Sequence, residues 1–300
     1  MAMTDSGYVR VRDWLLKSDL TPKYCSRMAS ESHRTPDRLR LHYEVERELA
    51  ARLRKSTRTE RTALFATLYG ELFARVPDHP RLVRRDAPEH SRRKVLSQLR
   101  LLRPFLKTDT VFLEFAPGDC RLASAVASEV GKVIGVDISD QRTPGEIAPP
   151  NLELVVYDGY QLAVPDATAD VIFSYQFLEH LHPDDVDAHF ILVRRLLKPG
   201  GVYVFDTPHR YSGPHDVSRH FGNELVCFHF QEWTYRGMRR LLKRHGFRRS
   251  NAYRFGKPLS GRVPNLANDL TEFAVGLLPF RIRQKLSARL FASVAMVARA

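Results

Sequence analysis

The sequence predicts an α/β fold built on a doubly wound, parallel β-sheet and preceded by an N-terminal helical cap. Between residues 111 and 206, short runs of strand-forming apolar residues alternate with stretches of helical periodicity. This alternation is typical of a parallel sheet with right-handed crossovers. Residues 8–90 carry amphipathic helical patterns instead. Ligands of doubly wound sheets bind at the carboxyl ends of the strands, so functional residues are expected there.

The first elements of the chain are helices. Arg38–Arg54 and Thr59–Phe73 repeat apolar residues at a spacing of about four, as one face of a helix requires. The tetrapeptide Thr57–Glu60 resembles a capping box, and Arg92–Phe105 is a further amphipathic helix. We interpret residues 1–90 as a cap over the substrate side of the sheet, and a purely structural appendage is the alternative.

The first predicted strand runs into a tight turn and then a helix. Val111–Phe115 is apolar apart from Glu114, Pro117 and Gly118 follow, and the helix begins at Arg121. A strand–turn–helix unit presents backbone N–H groups and the positive end of a helix to a ligand, and glycine lets the backbone approach that ligand closely. The turn therefore predicts a ligand site, although α/β proteins also contain such turns without a ligand.

A second strand, Lys132–Asp137, ends in a carboxylate about 20 residues past the turn, a spacing typical of an acid that binds ribose hydroxyls. A dinucleotide site requires Gly-x-Gly-x-x-Gly, whereas the turn at 116–120 holds one glycine. Glu114 would repel phosphate groups but could bind a cationic amino group. Together these features favour S-adenosylmethionine (SAM) over a dinucleotide.

Six segments of the chain resemble the motifs of a known family. These segments are Glu114–Cys120, Val136–Asp137, Val155–Gly159, Ala169–Gln176, Phe177–Leu181 and Leu197–Phe205. Across roughly residues 90–255 the chain resembles class I SAM-dependent methyltransferases. The resemblance implies a Rossmann-like, seven-stranded sheet that a reversed hairpin closes. One departure is Ala116, because the family usually has glycine there. Alanine is compatible with the turn if its φ angle is negative.

The resemblance also implies which residues bind the cofactor. Those at the methionine end of SAM are Glu114, Ala116, Gly118, Cys120, Tyr175 and Gln176. Those at the ribose and adenine are Asp137, Ile138, Asp158 and Gly159. In this second group, Asp137 would bind the ribose hydroxyls, Ile138 would flank adenine, and the loop that follows the third strand would meet the adenine amino group and ring.

The reversed hairpin implied by the resemblance would pair a strand at Phe247–Phe255 with a last strand at Phe291–Ala298. Residues 257–290 would then form an insertion inside the hairpin. The predicted division of the chain is a helical cap (1–90), a SAM-binding core (91–256), a basic helical insertion acting as a substrate lid (257–290) and the final core strand (291–300). For residues 276–290, contact with a membrane surface is the alternative to a lid.

The charges are unevenly distributed. Residues 111–235 carry 8 Lys and Arg against 18 Asp and Glu, whereas residues 1–110 carry 24 against 14 and residues 236–300 carry 15 against 2. Basic flanks can attract nucleic acid, anionic lipid or an acidic substrate, and a solvated arginine-rich surface is the simpler interpretation.

No apolar run in the sequence reaches the ~18–20 residues that span a bilayer, and the N-terminus shows no secretory pattern. Three scattered cysteines, Cys25, Cys120 and Cys227, argue against a disulfide framework or a zinc site. These observations predict a cytoplasmic protein.

A cluster of histidines follows the fifth predicted strand. The segment Asp206–Phe221 contains three histidines, and its Gly213–Pro214 pair predicts a shaped turn. Methylation of a hydroxyl requires removal of a proton, which histidine can accept near neutral pH. We predict His215 as the general base, oriented by Asp216 or another carboxylate, and His209 as the second candidate. The alternative is that these histidines only hold the loop by hydrogen bonds.

We predict no metal site. His180, His182, Asp184 and Asp185 lie close together in the sequence, but the exposed turn expected at Pro183 favours a loop cap over a set of metal ligands.

Taken together, the sequence predicts a SAM-dependent methyltransferase that acts on an oxygen of a small molecule, a sugar or a lipid or glycan precursor. The basic flanks favour RNA or another nucleic acid as the alternative acceptor, although Asp206–His209 lacks the Asn/Asp-Pro-Pro-Tyr/Phe signature of base amino methylation. A catalytically degenerate methyltransferase fold that serves as a scaffold is the non-enzymatic alternative.

Overall fold

The computed structural model describes residues 34–300 except 86–87, 143–144, 146 and 255, so Cys25 and the first part of the predicted cap lie outside the described residues. Helices come first along the described chain, and they are α1 (Pro36–Lys55), α2 (Arg58–Arg75), α3 (Pro80–Arg85) and α4 (Pro88–Leu102). The predicted capping box at the start of α2 is confirmed, because Thr57 and Glu60 each bond the other's backbone N–H. Leucines of α1 and α2 pack together with Phe228 from a later loop.

The sheet has the strand order β3-β2-β1-β4-β5-β8-β6-β7. Its strands are β1 (Val111–Phe115), β2 (Lys132–Asp137), β3 (Leu152–Val156), β4 (Ala169–Tyr175), β5 (Leu197–Pro208), β6 (Arg249–Arg254), β7 (Lys257–Pro258) and β8 (Ser293–Arg299). The first five strands are parallel, and β8 lies antiparallel between β5 and β6. The chain thus forms the predicted doubly wound sheet with its reversed hairpin.

The prediction of seven strands is wrong by one, because the described residues form an eight-stranded sheet. The additional strand is β7, which pairs antiparallel with β6 at the edge of the sheet. A strand of two residues has no side-chain alternation for a sequence pattern to detect.

Helices cover both faces of the sheet. The remaining helices of the described chain are α5 (Arg121–Ala127), α6 (Val186–Leu196), α7 (Tyr235–Arg244), α8 (Arg262–Gly276) and α9 (Phe280–Leu290). Alternate residues of the central strands face opposite ways, so one set packs against α6 and α7 and the other set packs against α4 and α5. None of the described helices is long and apolar enough to cross a bilayer.

Helices α8 and α9 occupy the stretch between the two strands of the reversed hairpin. The carboxyl ends of β1, β2, β4 and β5 meet at one edge of the sheet, where the helices of the N-terminal layer face them across a cavity.

Candidate functional site

The turn after β1 is fixed to the end of β2. The Asp137 carboxylate accepts hydrogen bonds from the backbone N–H of Gly118 (3.1 Å) and of Ile138 (2.8 Å). Asp137 is 5% exposed, and burial raises the pKa of its carboxyl. These bonds leave further lone pairs on both carboxylate oxygens, so Asp137 can still accept hydrogen bonds from a ribose.

The backbone of this turn corrects one expectation. Ala116 has a φ angle of +53°, not a negative one, and Gly118 and Cys120 also have positive φ angles, of +59° and +58°. These left-handed residues at alternate positions turn the chain sharply, and their N–H groups donate to Val136, Asp137 and Pro117. Alanine is strained at a positive φ angle, and for this reason a negative φ angle was expected at position 116. The Cys120 side chain is buried in the core and only its backbone belongs to the turn.

Glu114 provides an anionic site at the bottom of the cavity. Its side chain is 4% exposed, and Oε2 is buried without a hydrogen-bond partner among the described residues. Burial raises the pKa of this carboxyl to about 8, with Asp119 and Asp137 adding to the effect and Lys94 opposing it. A buried acceptor without a partner is costly, and the ammonium group of a methionine moiety would satisfy it. The residues present therefore fit SAM.

The loop after β3, where adenine was expected to bind, lines the cavity together with α2. A Cβ added to Gly159, whose φ is +89°, would lie 3.0 Å from the ring of Phe65 on α2. Phe65, Ile138 and Gly159 all line the cavity. Asp158 is not among the lining residues, and its Oδ1 accepts the backbone N–H groups of Tyr160 and Gln161, so it shapes the loop.

The residues expected at the methionine end of the cofactor include two that lie where β4 ends, beside the end of β5. Tyr175 and Gln176 line the cavity there. The Gln176 amide donates to Asp206 Oδ1 at 2.7 Å, and the Ser293 hydroxyl donates to Asp206 Oδ2 at 2.5 Å. Gln176 also has a positive φ of +51°, which directs its backbone N–H to the Asp206 carbonyl.

The cavity has a volume of about 1610 Å³. Single small-molecule sites commonly measure about 300–1,000 Å³, so this cavity has room for a cofactor and an acceptor together. Its walls come from the sheet edge, from the N-terminal helical layer, and from the loops on either side of the turn at Val217–His220.

His215 lies at the cavity wall and is oriented by a carboxylate. Its Nδ1 lies 3.1 Å from Glu232 Oε2, its Nε2 lies 3.2 Å from the Ser212 hydroxyl, and its side chain is 27% exposed. Burial opposes ionisation of Glu232, but hydrogen bonds from His215 and His229 lower its pKa to about 2. A Cβ on Gly213 would collide with the Glu232 carboxyl, so glycine is required at this contact.

Asp216 does not orient His215. Its two oxygens accept the backbone N–H groups of Ser218 (2.9 Å) and His229 (3.2 Å), so it caps the short turn that starts at Val217. The carboxylate that sequence reasoning left unnamed is Glu232, which lies 17 residues after His215. No local spacing marks such a pair.

His209 lies outside the cavity. It is fully buried, its Nε2 lies 2.7 Å from Glu272 on α8, and its Nδ1 lies 3.1 Å from Ser287 on α9. Its ring stacks on Phe291 at 5.0 Å. Of the two candidate histidines, His209 joins the inserted helices to the end of β5, and only His215 can reach an acceptor.

The residues considered as metal ligands diverge in the structure. His182 caps the turn at Pro183–Asp185 by accepting the Asp184 N–H, and Asp185 binds Arg61 on α2 with two hydrogen bonds of 2.8 and 2.9 Å. His180 instead approaches His229, with 5.0 Å between the ring centroids. Sequence reasoning considered His180 together with His182, Asp184 and Asp185, and it did not connect His180 with His229.

One arginine joins the N-terminal helical layer to the loop that carries His229. Arg54 on α1 donates to the carbonyls of Leu225 (3.0 Å), Cys227 (3.1 Å) and His229 (3.4 Å). The loop that carries His229 is therefore held from α1, outside the sheet.

Comparison with known proteins agrees with this geometry. Residues 113–205 match the family described as a methyltransferase domain. A Mycolicibacterium smegmatis protein described as an S-adenosylmethionine-dependent methyltransferase is 30% identical over 138 residues, which cover 45% of this chain and 51% of that protein. The chain thus matches about half the length of this curated relative.

Among solved structures, the complex between the Haloferax volcanii Trm112 methyltransferase activator and a protein described as a methyltransferase matches at 18% identity. The match covers 82% of this chain and 99% of that one with a TM-score of 0.51, so the two share a fold. The Burkholderia thailandensis 1,6-didemethyltoxoflavin-N1-methyltransferase, solved with S-adenosylhomocysteine, is 16% identical over 81% of this chain and 90% of that one, with a TM-score of 0.49.

Proposed function

We propose that this chain is a class I SAM-dependent methyltransferase that methylates an oxygen of a small molecule, a sugar or a lipid or glycan precursor, with His215 as general base. The match of residues 113–205 to the methyltransferase domain family supports the proposal. The observation that carries the proposal is the His215–Glu232 pair at the wall of a cavity that also contains the Glu114 and Asp137 carboxylates.

When bound, SAM supplies an electrophilic methyl group. The Glu114 carboxylate would accept hydrogen bonds from the cofactor ammonium, and Asp137 would accept those of the ribose hydroxyls. Phe65 on α2 would cover the adenine. Glu114 and Asp137 lie on neighbouring strands, and Phe65 lines the same cavity from α2. Together they would fix the orientation of the cofactor, which is the main contribution a protein makes to an in-line displacement.

His215 has the hydrogen bonds of a base. Glu232 can only accept, so His215 Nδ1 carries a proton and Nε2, which lies 3.2 Å from the Ser212 hydroxyl, has the basic lone pair. Nε2 would take the proton of the acceptor hydroxyl as the oxygen bonds to the methyl carbon, and the ionised Glu232 would stabilise the imidazolium that results.

The exposed face of the inserted helices supports a lipid-bearing acceptor or a membrane partner. Along α8, Val263, Leu266, Leu270, Phe273 and Leu277 are 48–77% exposed and follow one another at helical spacing. Residues 257–290 also hold six basic side chains against two acidic ones. An apolar helix face beside basic residues is typical of contact with an anionic membrane surface.

The proposal is tested first by calorimetric titration of the protein with SAM and S-adenosylhomocysteine at two salt concentrations. Micromolar binding of both compounds is expected. If neither binds, the scaffold interpretation replaces the enzymatic one. A nucleic-acid acceptor would be revealed by RNA binding that weakens steeply with salt.

Substitution of His215 tests the base. His215→Gln is expected to lower the turnover with a hydroxyl acceptor by about 10²–10⁴-fold and to leave the SAM dissociation constant unchanged. His182→Gln serves as the control, since His182 lines the same cavity but caps a turn. Equal turnover of His215→Gln and the wild-type chain would exclude His215 as the base.

A further inference from the structure

Glu179, His180 and His229 converge at the cavity wall. One ligand atom of each lies within 4.8 Å of the other two, and all three residues line the cavity. Glu179 and His180 belong to the short turn after β4, and His229 belongs to the loop held by Arg54. The Phe230 N–H donates to the Glu179 carbonyl at 2.8 Å, which fixes the two segments side by side.

In each of these three side chains, one polar atom already makes a hydrogen bond within the protein; we call these the outer atoms. His180 Nδ1 lies 3.0 Å from the Phe228 carbonyl, His229 Nδ1 lies 2.9 Å from Glu232 Oε1, and the Thr207 hydroxyl donates to Glu179 Oε2 at 2.9 Å. Carbonyls and carboxylates accept hydrogen bonds, so both Nδ1 atoms carry protons. The atoms left over are the two Nε2 nitrogens and Glu179 Oε1.

Glu179 Oε1 is the second observation that points to a ligand. The Glu179 side chain is fully buried, and Oε1 has no hydrogen-bond partner among the described residues. A metal ion would satisfy Oε1 and would take the place of any proton on His229 Nε2.

A second histidine–glutamate cluster in the described chain lacks these properties. His42 and His79 both contact Glu46 Oε1, at 2.7 and 3.2 Å. However, their Nδ1 atoms accept from the Arg34 side chain and from the Arg81 backbone N–H. Their Nε2 atoms must therefore carry protons, so they are not free to bind a metal.

We propose that Glu179, His180 and His229 bind one divalent transition-metal ion, with zinc the expected ion, and that its open coordination position faces the acceptor part of the cavity. Two imidazoles and one carboxylate suit zinc and related ions, whereas magnesium and calcium prefer oxygen ligands. Three protein ligands that leave a position open are typical of a catalytic metal site, and hydrogen-bonded outer atoms are typical of such ligands. The role toward an acceptor rests on the proposed methyl transfer, but the metal binding does not.

The test uses the full chain without an affinity tag, stripped with a chelator and dialysed. Titration with Zn²⁺ is followed by elemental analysis, and titration with Co²⁺ is followed by visible absorption. We expect one ion per chain for the wild type and for His182→Ala, and none for His180→Ala and for the near-isosteric Glu179→Gln. Thr207→Val, which removes only an outer hydrogen bond, is expected to weaken binding by about 10- to 100-fold.

The proposal is overturned if the stripped wild-type chain binds no zinc, or if Glu179→Gln and His180→Ala bind it as the wild type does. A variant that fails to fold is recognised in thermal unfolding because it lacks a cooperative transition. Among folded chains, zinc should raise the melting temperature of the wild type and of His182→Ala, but not that of His180→Ala or Glu179→Gln. SAM titration of the stripped chain separates the two proposals. Zinc binding without SAM binding overturns the methyl-transfer proposal alone. Undiminished methyl transfer by the stripped chain in the presence of a chelator overturns the role of the metal toward the acceptor, and only the zinc titration overturns the metal site itself.

Discussion

Glu114 is a buried carboxyl whose Oε2 has no hydrogen-bond partner among the described residues. Its pKa of about 8 results mainly from burial. At pH 7 the side chain is therefore mostly neutral before the cofactor binds, but it must be ionised to hold an ammonium group. Binding at this pH should be coupled to release of a proton.

This coupling gives a prediction with a definite sign. Because the neutral form of Glu114 predominates below about pH 8, SAM affinity should rise as the pH rises toward 8. It should fall again at higher pH, because an α-ammonium group loses its proton at about pH 7.7–8.0. Calorimetric titrations at pH 7 in buffers of different ionisation enthalpy should show release of about one proton per SAM bound. Glu114→Gln should bind SAM more weakly and release none. Equal proton release by the wild-type chain and this variant would contradict the assignment.

The hydrogen-bond partner of a residue could be predicted where the partner is close in the sequence or where the order of the strands brings the two together. Asp137 and Gly118 are such a pair, because an acid at the end of β2 faces the turn after β1 in any sheet of this order. The partner of His215 was not predictable, since Glu232 reaches it only after the loop folds back. Asp216 was the attractive candidate by proximity, yet a neighbouring residue on the same turn can point elsewhere, and it caps the backbone.

At the scale of elements, α2 contributes more to the site than its sequence reveals. The capping box and apolar stripe predicted where it starts and which face it buries. The same helix places Phe65 against Gly159 and Arg61 against Asp185, across the cavity. Helical periodicity reports that a face is buried but not what covers it, so these contacts lay beyond sequence analysis.

Removal of the Phe65 ring should weaken cofactor binding. Phe65→Ala is expected to raise the SAM dissociation constant by about three- to tenfold, since an aromatic contact is worth ~0.5–1.5 kcal/mol. Leu41→Ala on α1 is a matched control, because Leu41 is 37% exposed and does not line the cavity. The two constants are compared by calorimetry after circular dichroism has shown that both variants are folded. An unchanged constant for Phe65→Ala would mean that α2 does not cover the adenine.

At the scale of the whole molecule, basic flanks surround an acidic core. Residues 111–235 hold an excess of acidic side chains, including the carboxylates of the proposed cofactor site, whereas residues 236–300 hold 15 basic and 2 acidic ones. The sequence revealed this division fully, because charge counts need no structure. The side of α8 that stays exposed became evident only in the fold.

This surface predicts binding to anionic vesicles. The chain should sediment with phosphatidylserine-containing vesicles and not with purely phosphatidylcholine vesicles, and added salt should weaken the binding. Leu266→Ser combined with Leu270→Ser should reduce sedimentation without changing the melting temperature, because both side chains are more than half exposed. Ile191→Ser on α6, 60% exposed in the wild type, is the control. If the double variant sediments like the wild type, α8 is not the contact.

The Arg54 contacts have a consequence for any exchange of parts between this chain and its relatives. Residues 113–205 match the methyltransferase domain family, but the loop carrying His229 lies beyond that stretch and is held by a guanidinium from before it. A chimaera that grafts only the loop, or only the matched stretch, would separate the loop from its support. To keep the loop supported, a graft would have to carry α1 together with residues 215–232, although the two are far apart along the chain.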